Sequence, residues 1–320
     1  MTSTVLILGA AGRFGQVLGA AFAEAGWHVR AQARKALPAP LANDERVAYV
    51  HCDAFDRTAL RAAALRAEVV VHALNPPYAQ WTRFGLPLAD AAIDAARSSG
   101  ALLMLPGNVY NFGSDLPPLL TLATPEHGDH PKARVRIDVE ARMASTPGLD
   151  SVVIRAGDFF GGAGRGSWFD QVLVSRLTSG RFIYPGPMDA LHAWTYLPDL
   201  AQAFVKVALQ RAVLRGHHRF HFAGDAVTGD EMQRQLQAVT GRALRRGGLP
   251  WGLMRLASPF APDWRELLAL RYLWQRPHRL DDSALRALIG AVPHTPLPQA
   301  LAEALAALGV LPASAQPALG

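Results

Sequence analysis

A glycine-rich turn near the start of the chain has the spacing of a phosphate-binding loop. It follows the apolar run at residues 5–8 and precedes a run typical of a helix. Glycine permits the tight turn, a close backbone approach to a pyrophosphate and close packing of helix on strand, while the helix dipole attracts the anion. The spacing therefore predicts a dinucleotide site. Its predicted backbone contacts are Gly9, Gly12, Phe14 and Gly15.

The end of the second predicted strand indicates which dinucleotide fits. A site for NAD usually places an acid there, which accepts hydrogen bonds from the ribose 2′-hydroxyl. Here the strand at 28–32 runs into Arg34 and Lys35, and Arg13 in the glycine turn is expected to face the same neighbourhood. Guanidinium groups bind a 2′-phosphate dianion well. We therefore expect NADP(H) to be favoured over NAD(H), with Arg13 and Arg34 at the phosphate. If Arg34 and Lys35 form a solvated strand end, discrimination would be weak.

Length, composition and charge limit the remaining function classes. The chain has 320 residues, half of them hydrophobic, which is enough for a large core. Its net charge of +6 comes from scattered rather than clustered arginines, so we expect no nucleic-acid partner. Cys52 is the only cysteine, which excludes an intrachain disulfide, and we expect no metal site. We also expect neither a signal peptide nor a membrane span, and hence a soluble, cytoplasmic protein.

Short apolar runs alternate with helix-like segments along the first half of the chain. Such runs are typical of parallel strands that are buried on both faces. The alternation predicts an α/β fold with a Rossmann-type, doubly wound parallel sheet. The predicted strands are 5–8, 28–32, 48–51, 69–72, 102–105 and 151–154. The predicted helices are 16–25, 57–64, 87–98 and 132–144.

The alternation changes after residue 155. A glycine-rich segment at 161–167 is expected to form a mobile loop over the site, and residues 245–310 have the composition of a helical lobe with large apolar side chains. The predicted elements between them are helices near 168–177, at 200–209 and at 229–240, and a strand at 219–223. We expect a NAD(P)-binding core at 1–155, a smaller C-terminal substrate lobe at 156–311 interleaved with the last sheet strands, and a disordered tail at 312–320.

Motifs spread along the chain resemble one family. Besides the glycine turn, the matching segments are 52–53, 72–76, 109–113, 155–161 and 195–201. They resemble the extended and atypical short-chain dehydrogenase/reductases, in the branch of the NAD-dependent epimerases and dehydratases. The resemblance implies that Asp53 meets the adenine and that Leu74 and Asn75 lie under the nicotinamide ribose.

The catalytic set of that family is substituted in this chain. The family uses a Ser or Thr near the fifth strand and a Tyr followed four residues later by Lys, and these positions fall on Pro106 and near Lys132 and Arg136. We predict Lys132, Arg136 and Tyr110 as catalytic residues. A desolvated Lys132 beside Arg136 would have a lowered pKa, and Tyr110 could supply a phenol. Alternatively, Lys132 is solvated, Arg136 pairs with Glu140 one helical turn on, and Tyr110 is a wall of the substrate site.

Three polar residues are candidates for substrate contact, namely Asn108, Asp158 and Ser167. Each could equally be a turn or capping residue. Asp199 is expected to be a helix N-cap or an acid of the first turn. Further side chains with a pKa suited to proton transfer are His127, His130 and His192.

These observations favour an NADP(H)-binding oxidoreductase or epimerase-like enzyme that acts on a small organic substrate. The alternative is a non-catalytic NADP(H) sensor, because such a role would explain the substituted catalytic set. The assembly state stays open, with a homodimer as one possibility.

Overall fold

The computed structural model describes residues 2–311 of the chain. Its strands are β1 (Thr4–Leu8), β2 (His28–Ala33), β3 (Val47–His51), β4 (Val69–His72), β5 (Leu102–Gly107), β6 (Leu119–Leu120), β7 (Ser151–Ala156), β8 (Asp158–Phe160), β9 (Arg181–Ile183), β10 (Leu191–Tyr196), β11 (His217–Phe222), β12 (Asp225–Thr228), β13 (Arg245–Gly247) and β14 (Arg279–Leu280). Its α-helices are α1 (Arg13–Glu24), α2 (Ala39–Ala42), α3 (Arg57–Ala64), α4 (Trp81–Ser99), α5 (Pro131–Ser145), α6 (Leu197–Leu209), α7 (Gly229–Thr240), α8 (Trp251–Ala257), α9 (Pro262–Ala269), α10 (Tyr272–Gln275), α11 (Ser283–Ile289) and α12 (Leu297–Ala307).

Seven parallel strands form the central sheet in the order β11-β7-β5-β4-β1-β2-β3. Strand β1 pairs with β2 on one side and with β4 on the other, so the winding of the chain reverses beside β1. In such sheets a crevice opens outside the carboxyl ends of the strands at the point of reversal, and ligands bind there. The predicted Rossmann-type, doubly wound fold is confirmed.

Both faces of this sheet are covered by helices. Val5 and Ile7 of β1 pack into a core with α1 and α6, whereas Leu6 and Leu8 pack into a second core with α3, α4 and α5. Successive side chains of a strand point to opposite faces, so a continuous apolar run is what two covered faces require.

The second half of the chain builds a third apolar core beyond the carboxyl ends of the central strands. Three small sheets contribute to it, in the orders β12-β10-β8, β13-β9 and β14-β6. Strand β11 returns from this half of the chain to the edge of the central sheet, beside β7. The division near residue 155 stays a prediction, and the tail predicted at 312–320 lies outside the described residues. Within residues 2–311 no helix combines the length and the apolar character needed to cross a membrane.

The predicted helices differ most from the observed ones in two places, while α1 and α6 each begin three residues before the predicted start. Helix α4 begins at Trp81 rather than at residue 87, and Pro87 lies inside it. Proline is commonest in the first helical turn, but here it follows more than one turn of helix. The segment predicted as a helix near 168–177 is a π-helical turn at Phe169–Leu173, followed by a 3₁₀ turn at Leu177–Ser179.

A buried ion pair fixes α5 on the central sheet. Arg155 of β7 is 1% exposed, and its Nε and Nη2 donate to Glu140 of α5 at 3.1 and 2.6 Å. The Nδ2 of Asn111 donates to the same carboxylate at 3.0 Å. Glu140 is therefore not the partner of Arg136, contrary to the alternative that the spacing on the helix had suggested. Glu140 pairs with Arg155 rather than with Arg136 one helical turn away, because the buried Arg155 guanidinium needs a nearby anion.

Replacement of Glu140 tests this anchor. Glu140→Ala removes the buried partner of Arg155 and leaves the more exposed Glu126 as its remaining anion, so we expect the free energy of unfolding to fall by about 2 kcal/mol in urea denaturation. Arg215→Ala is the control, because Arg215 pairs with Asp150 while 74% exposed. Surface pairs contribute less than about 1 kcal/mol. Equal losses in the two variants would contradict a stabilising role for the buried pair.

Candidate active site

The glycine turn lies between β1 and α1, at the carboxyl edge of the sheet. Gly9 has a φ of +83°, and a Cβ on Gly15 would lie 2.3 Å from the Gly9 carbonyl oxygen. Only glycine allows this approach of helix and turn. Helix α1 has Gly12 as its N-cap and receives no capping bond from a side chain of the described residues. Its first N–H groups and the positive end of its dipole are therefore available to an anion.

Gln32 at the end of β2 holds the glycine turn in place. Its side chain is buried, its Oε1 accepts from the Gly9 amide at 3.0 Å, and its Nε2 donates to the Cys52 carbonyl at 2.7 Å. One amide thus connects the ends of β1, β2 and β3. Our sequence analysis missed this residue, although a polar amide inside an apolar strand run was the available signal.

Arg34 and Asp53, the residues predicted for the 2′-phosphate and the adenine, lie together just past the ends of β2 and β3. The Arg34 Nη1 is 3.7 Å from the Asp53 Oδ2, and the two side chains are 74% and 48% exposed. The other oxygen of Asp53 accepts from the Phe55 amide at 2.9 Å, which fixes the turn after β3. The corner therefore presents one exposed guanidinium beside a carboxylate.

Arg13 does not join this corner, which corrects the expected pair of arginines. Its Nε donates to the Gly161 carbonyl at 2.7 Å, and its Nη1 donates to Asp170 at 2.8 Å. A cation in the first turn of a helix is disfavoured by the helix dipole. Asp170 compensates this charge, so the guanidinium is directed to the second half of the chain. The glycine-rich segment is likewise attached to α1 through Gly161.

A cleft separates the segment after β4 from α4 and α5. Its walls include His72, Leu74, Asn75, Trp81 and Arg136. The Arg136 guanidinium carbon lies 4.5 Å from the centroid of the Trp81 ring, and its Nη1 is 3.4 Å from the Pro106 carbonyl oxygen. Burial, aided by the charge of Arg136, lowers the pKa of His72 to about 3 and keeps the imidazole neutral. Leu74, Asn75 and Arg136, which were predicted separately, share this cleft.

Lys132 is buried at the start of α5 and pairs with Glu266 of α9. Burial lowers the pKa of the Lys132 ammonium to about 8, and the carboxylate of Glu266 opposes that shift. The solvated alternative for Lys132 therefore does not describe this structure. Its acidic partner comes from the C-terminal lobe, 134 residues away in the chain, and our sequence analysis did not find it.

Tyr110 is buried beside the start of α5, where its ring packs against Trp81 and His130. His130 is the N-cap of α5, and its Nδ1 accepts from the Ala133 amide at 3.3 Å. Its Nε2 therefore carries the proton and donates to the Tyr272 hydroxyl at 3.0 Å. Burial, with Asp129 and Asp158 nearby, raises the pKa of Tyr272 and keeps it neutral. Sequence analysis missed this second phenol, which α10 supplies.

Two of the predicted substrate contacts form local bonds instead. Asn108 accepts from the Tyr110 amide at 3.0 Å and caps a 3₁₀ turn. The hydroxyl of Ser167 donates to Asp170, and its amide does so at 3.1 Å. Both residues thus have the turn or capping role that was the alternative. Asp199 lies in the first turn of α6, as expected, and accepts from the amide and hydroxyl of Thr295, both at 2.7 Å.

Asp158, the third candidate, pairs with a buried histidine. The Asp158 Oδ2 is 2.8 Å from the His192 Nε2, and the His192 Nδ1 is 3.3 Å from the Leu273 carbonyl oxygen. Because a carbonyl only accepts, the contact with Leu273 requires Nδ1 of His192 to donate. The imidazole also stacks on Trp274, with ring centroids 4.2 Å apart. Asp158 is therefore fixed by the C-terminal lobe.

The architecture defines the class of fold. A doubly wound parallel sheet with a glycine turn at its point of reversal is a Rossmann-type fold. Residues 1–96 also match the model of the NmrA-like family. A comparison with curated proteins gives no match.

Several solved structures share this fold over almost the whole chain. WbmH of Bordetella bronchiseptica, solved with NAD+, is 18% identical with a TM-score of 0.74, over 97% of this chain and 99% of that one. The UDP-glucose 4-epimerase of Brucella ovis, solved with NAD, is 15% identical with a TM-score of 0.73, over 97% and 98%. The ADP-L-glycero-D-manno-heptose-6-epimerase of Helicobacter pylori is 13% identical with a TM-score of 0.74, over 97% of both chains. At these identities the likeness concerns the fold.

A methyl group at Gly15 tests the close approach in the glycine turn. In Gly15→Ala the new Cβ would meet the Gly9 carbonyl, so helix and turn must separate. We expect a loss of about 1–3 kcal/mol in the free energy of unfolding, measured in urea. Gly252→Ala in α8 is the control, since its Cβ would meet nothing within 4 Å. A Gly15→Ala protein as stable as the control would contradict the described packing.

Proposed function

We propose that this chain is a nicotinamide-dinucleotide-dependent enzyme, an oxidoreductase or epimerase-like protein, that acts on a small organic substrate. The observation that carries the proposal is the uncapped N-terminus of α1 in a turn that only glycine can form. This turn and the cleft with Asn75 and Arg136 lie at the same edge of the sheet. One extended ligand could therefore contact both.

The residues present fit a dinucleotide along its length. The amides that follow Gly12 would hold the pyrophosphate, since no side chain of the described residues occupies them. Asp53 and Arg34 would contact the adenosine end, and Leu74 and Asn75 would lie under the nicotinamide ribose. A bound nicotinamide would supply hydride transfer.

Proton transfer would fall to residues at the start of α5. Lys132 holds a proton at Nζ with a pKa of about 8, close to neutral pH, which suits an acid or base. Glu266 orients its ammonium group. Arg136 contributes a fixed positive charge in the cleft, and Tyr110 forms part of the wall. These three residues of the first half, namely Lys132, Arg136 and Tyr110, are our proposed catalytic residues.

We further propose that NADP(H) is favoured over NAD(H) and that Arg34 is responsible. Because Arg13 is engaged by Asp170, Arg34 is the guanidinium that remains at the corner for a 2′-phosphate. Because the Arg34 side chain is exposed, it can turn from the Asp53 carboxylate to the more highly charged 2′-phosphate. Two of the similar structures named above hold NAD, so the preference of this chain has to be measured directly.

Titration calorimetry with NADPH and NADH tests dinucleotide binding and the preference together. We expect NADPH to bind at least about tenfold more tightly than NADH, a difference of about 1.4 kcal/mol. Arg34→Ala should remove this difference and leave NADH binding unchanged, because it deletes only the contact with the 2′-phosphate. Arg66→Ala, an exposed arginine before β4, is the matched control. Equal affinities in the wild type would contradict the preference, and binding of neither nucleotide would contradict the proposed function.

Consumption of NADPH with a panel of carbonyl and enone compounds tests the role of Lys132. Reduction of such a substrate requires a proton, so activity should fall as the pH rises above about 8, where Lys132 loses its proton, and pairing with Glu266 moves that loss to higher pH. Lys132→Met should lose most of the activity and this limb of the pH profile, whereas Tyr110→Phe should keep the limb. An unchanged profile in Lys132→Met would exclude Lys132 as the proton donor. Tight dinucleotide binding without turnover of any compound would favour the sensor instead.

A further inference from the structure

The glycine-rich segment lies against the first turn of α1. Besides the hydrogen bond from Arg13 to the Gly161 carbonyl, Gly162 packs so closely that a Cβ there would lie 2.8 Å from the Val17 Cγ2. Gly161 and Gly162 have φ values of +84° and +74°, a conformation that favours glycine. The segment can therefore follow the surface of the helix directly after the pyrophosphate cradle. We call residues 161–170 the strap.

The far end of the strap is fixed by a buried carboxylate. Asp170 is fully buried and accepts from Arg13 Nη1, from the Ser167 amide and hydroxyl, and from the Gly166 amide. Burial alone would raise the pKa of Asp170, but the Ser167 hydroxyl, the charge of Arg13 and the amides together hold it below its ordinary value. The carboxylate thus stays ionised and depends on the Arg13 guanidinium as its cationic partner.

Arg13 joins both ends of the strap to the cradle. It is the first residue of α1 and follows Gly12, the N-cap of the helix. Its Nε binds the beginning of the strap and its Nη1 binds the end, across 157 residues of sequence. Between these two points the strap is exposed at residues 163–166. One side chain therefore contacts both ends of this exposed stretch beside the predicted dinucleotide, and Trp168 and Phe169 after it are buried in the third core.

We propose that the strap crosses the dinucleotide cradle and that the Arg13–Asp170 ion pair is its fastening, which limits how fast a dinucleotide enters and leaves. The inference rests on the proposed function, because it requires dinucleotide binding. It assigns Arg13 as a positioning residue rather than a ligand of the 2′-phosphate.

The rates of dinucleotide binding distinguish two roles for Arg13, namely an ion pair that holds the strap closed and a direct contact with the phosphate. A strap that is held across the cradle must open for entry as well as for exit. Loss of the fastening then speeds association and dissociation together and changes the affinity little. Loss of a direct phosphate contact would instead speed dissociation alone and weaken binding, as most interface substitutions do.

Stopped-flow fluorescence of NADPH with the full chain separates these cases. We expect Arg13→Gln and Asp170→Asn each to raise both rate constants about tenfold, with dissociation constants within about threefold of the wild type. The double variant should be no faster than the faster single variant, because both changes break one contact. Arg165→Gln is the matched control, since it removes an exposed guanidinium from the same strap and should keep the wild-type rates.

Amide hydrogen exchange of the protein without dinucleotide gives a second measurement. The amides of residues 162–167 should exchange about tenfold faster in Arg13→Gln than in Arg165→Gln. Equal exchange, or unchanged rate constants, would overturn the fastening. Weaker NADPH binding in Arg13→Gln with unchanged association would overturn it in favour of a phosphate ligand. A wild-type protein that binds no dinucleotide would overturn the proposed function, and with it the role of the strap in exchange, even if the hydrogen exchange agreed.

Discussion

The close approach of Gly15 to the Gly9 carbonyl fixes where the first helix lies on the central sheet. Because a Cβ at Gly15 would lie 2.3 Å from that oxygen, α1 rests directly on the turn after β1. Gln32 holds the same turn from β2, so the position of the helix end is fixed from two sides. The uncapped amides of α1 thus sit at the point where the sheet reverses its winding, and a pyrophosphate could reach them there.

Ion pairs connect the two halves of the chain at the start of α1 and of α5. A helix end with free amides attracts anions and disfavours cations, yet its first residue is Arg13. Asp170 of the C-terminal lobe balances this cation. Lys132, buried at the start of α5, is balanced by Glu266 of the same lobe. Since an unpaired buried charge is strongly destabilising, each pair sets where a part of the lobe can lie on the core.

Local sequence patterns predicted the helices and strands, but they did not predict the ion pairs between distant parts of the chain. Apolar runs and turn residues placed α3 and α7 with the bounds that the structure has, since burial of one helix face and the caps are encoded within a few residues. The same local competition explains Asn108 and Ser167, whose side chains bond to groups two or three residues away. The partner of Arg13 is 157 residues distant. Charge patterns in a sequence cannot select one acid among many at such a separation, because the folded backbone decides which of them is near.

The distribution of charge also bears on how an anionic ligand would be recognised. Arg13 and Lys132 each pair with a carboxylate from the second half of the chain, so neither offers a net positive charge to a ligand. Backbone amides and the dipole of α1 are then the main attraction for a pyrophosphate, and they do not distinguish one dinucleotide from another. Under the proposed function, discrimination would come from the exposed corner after β2, where Arg34 faces Asp53 at 3.7 Å. Recognition of the common part of the ligand would then be a property of the fold, while the choice between related ligands would depend on a solvent-exposed side chain that a single substitution can change.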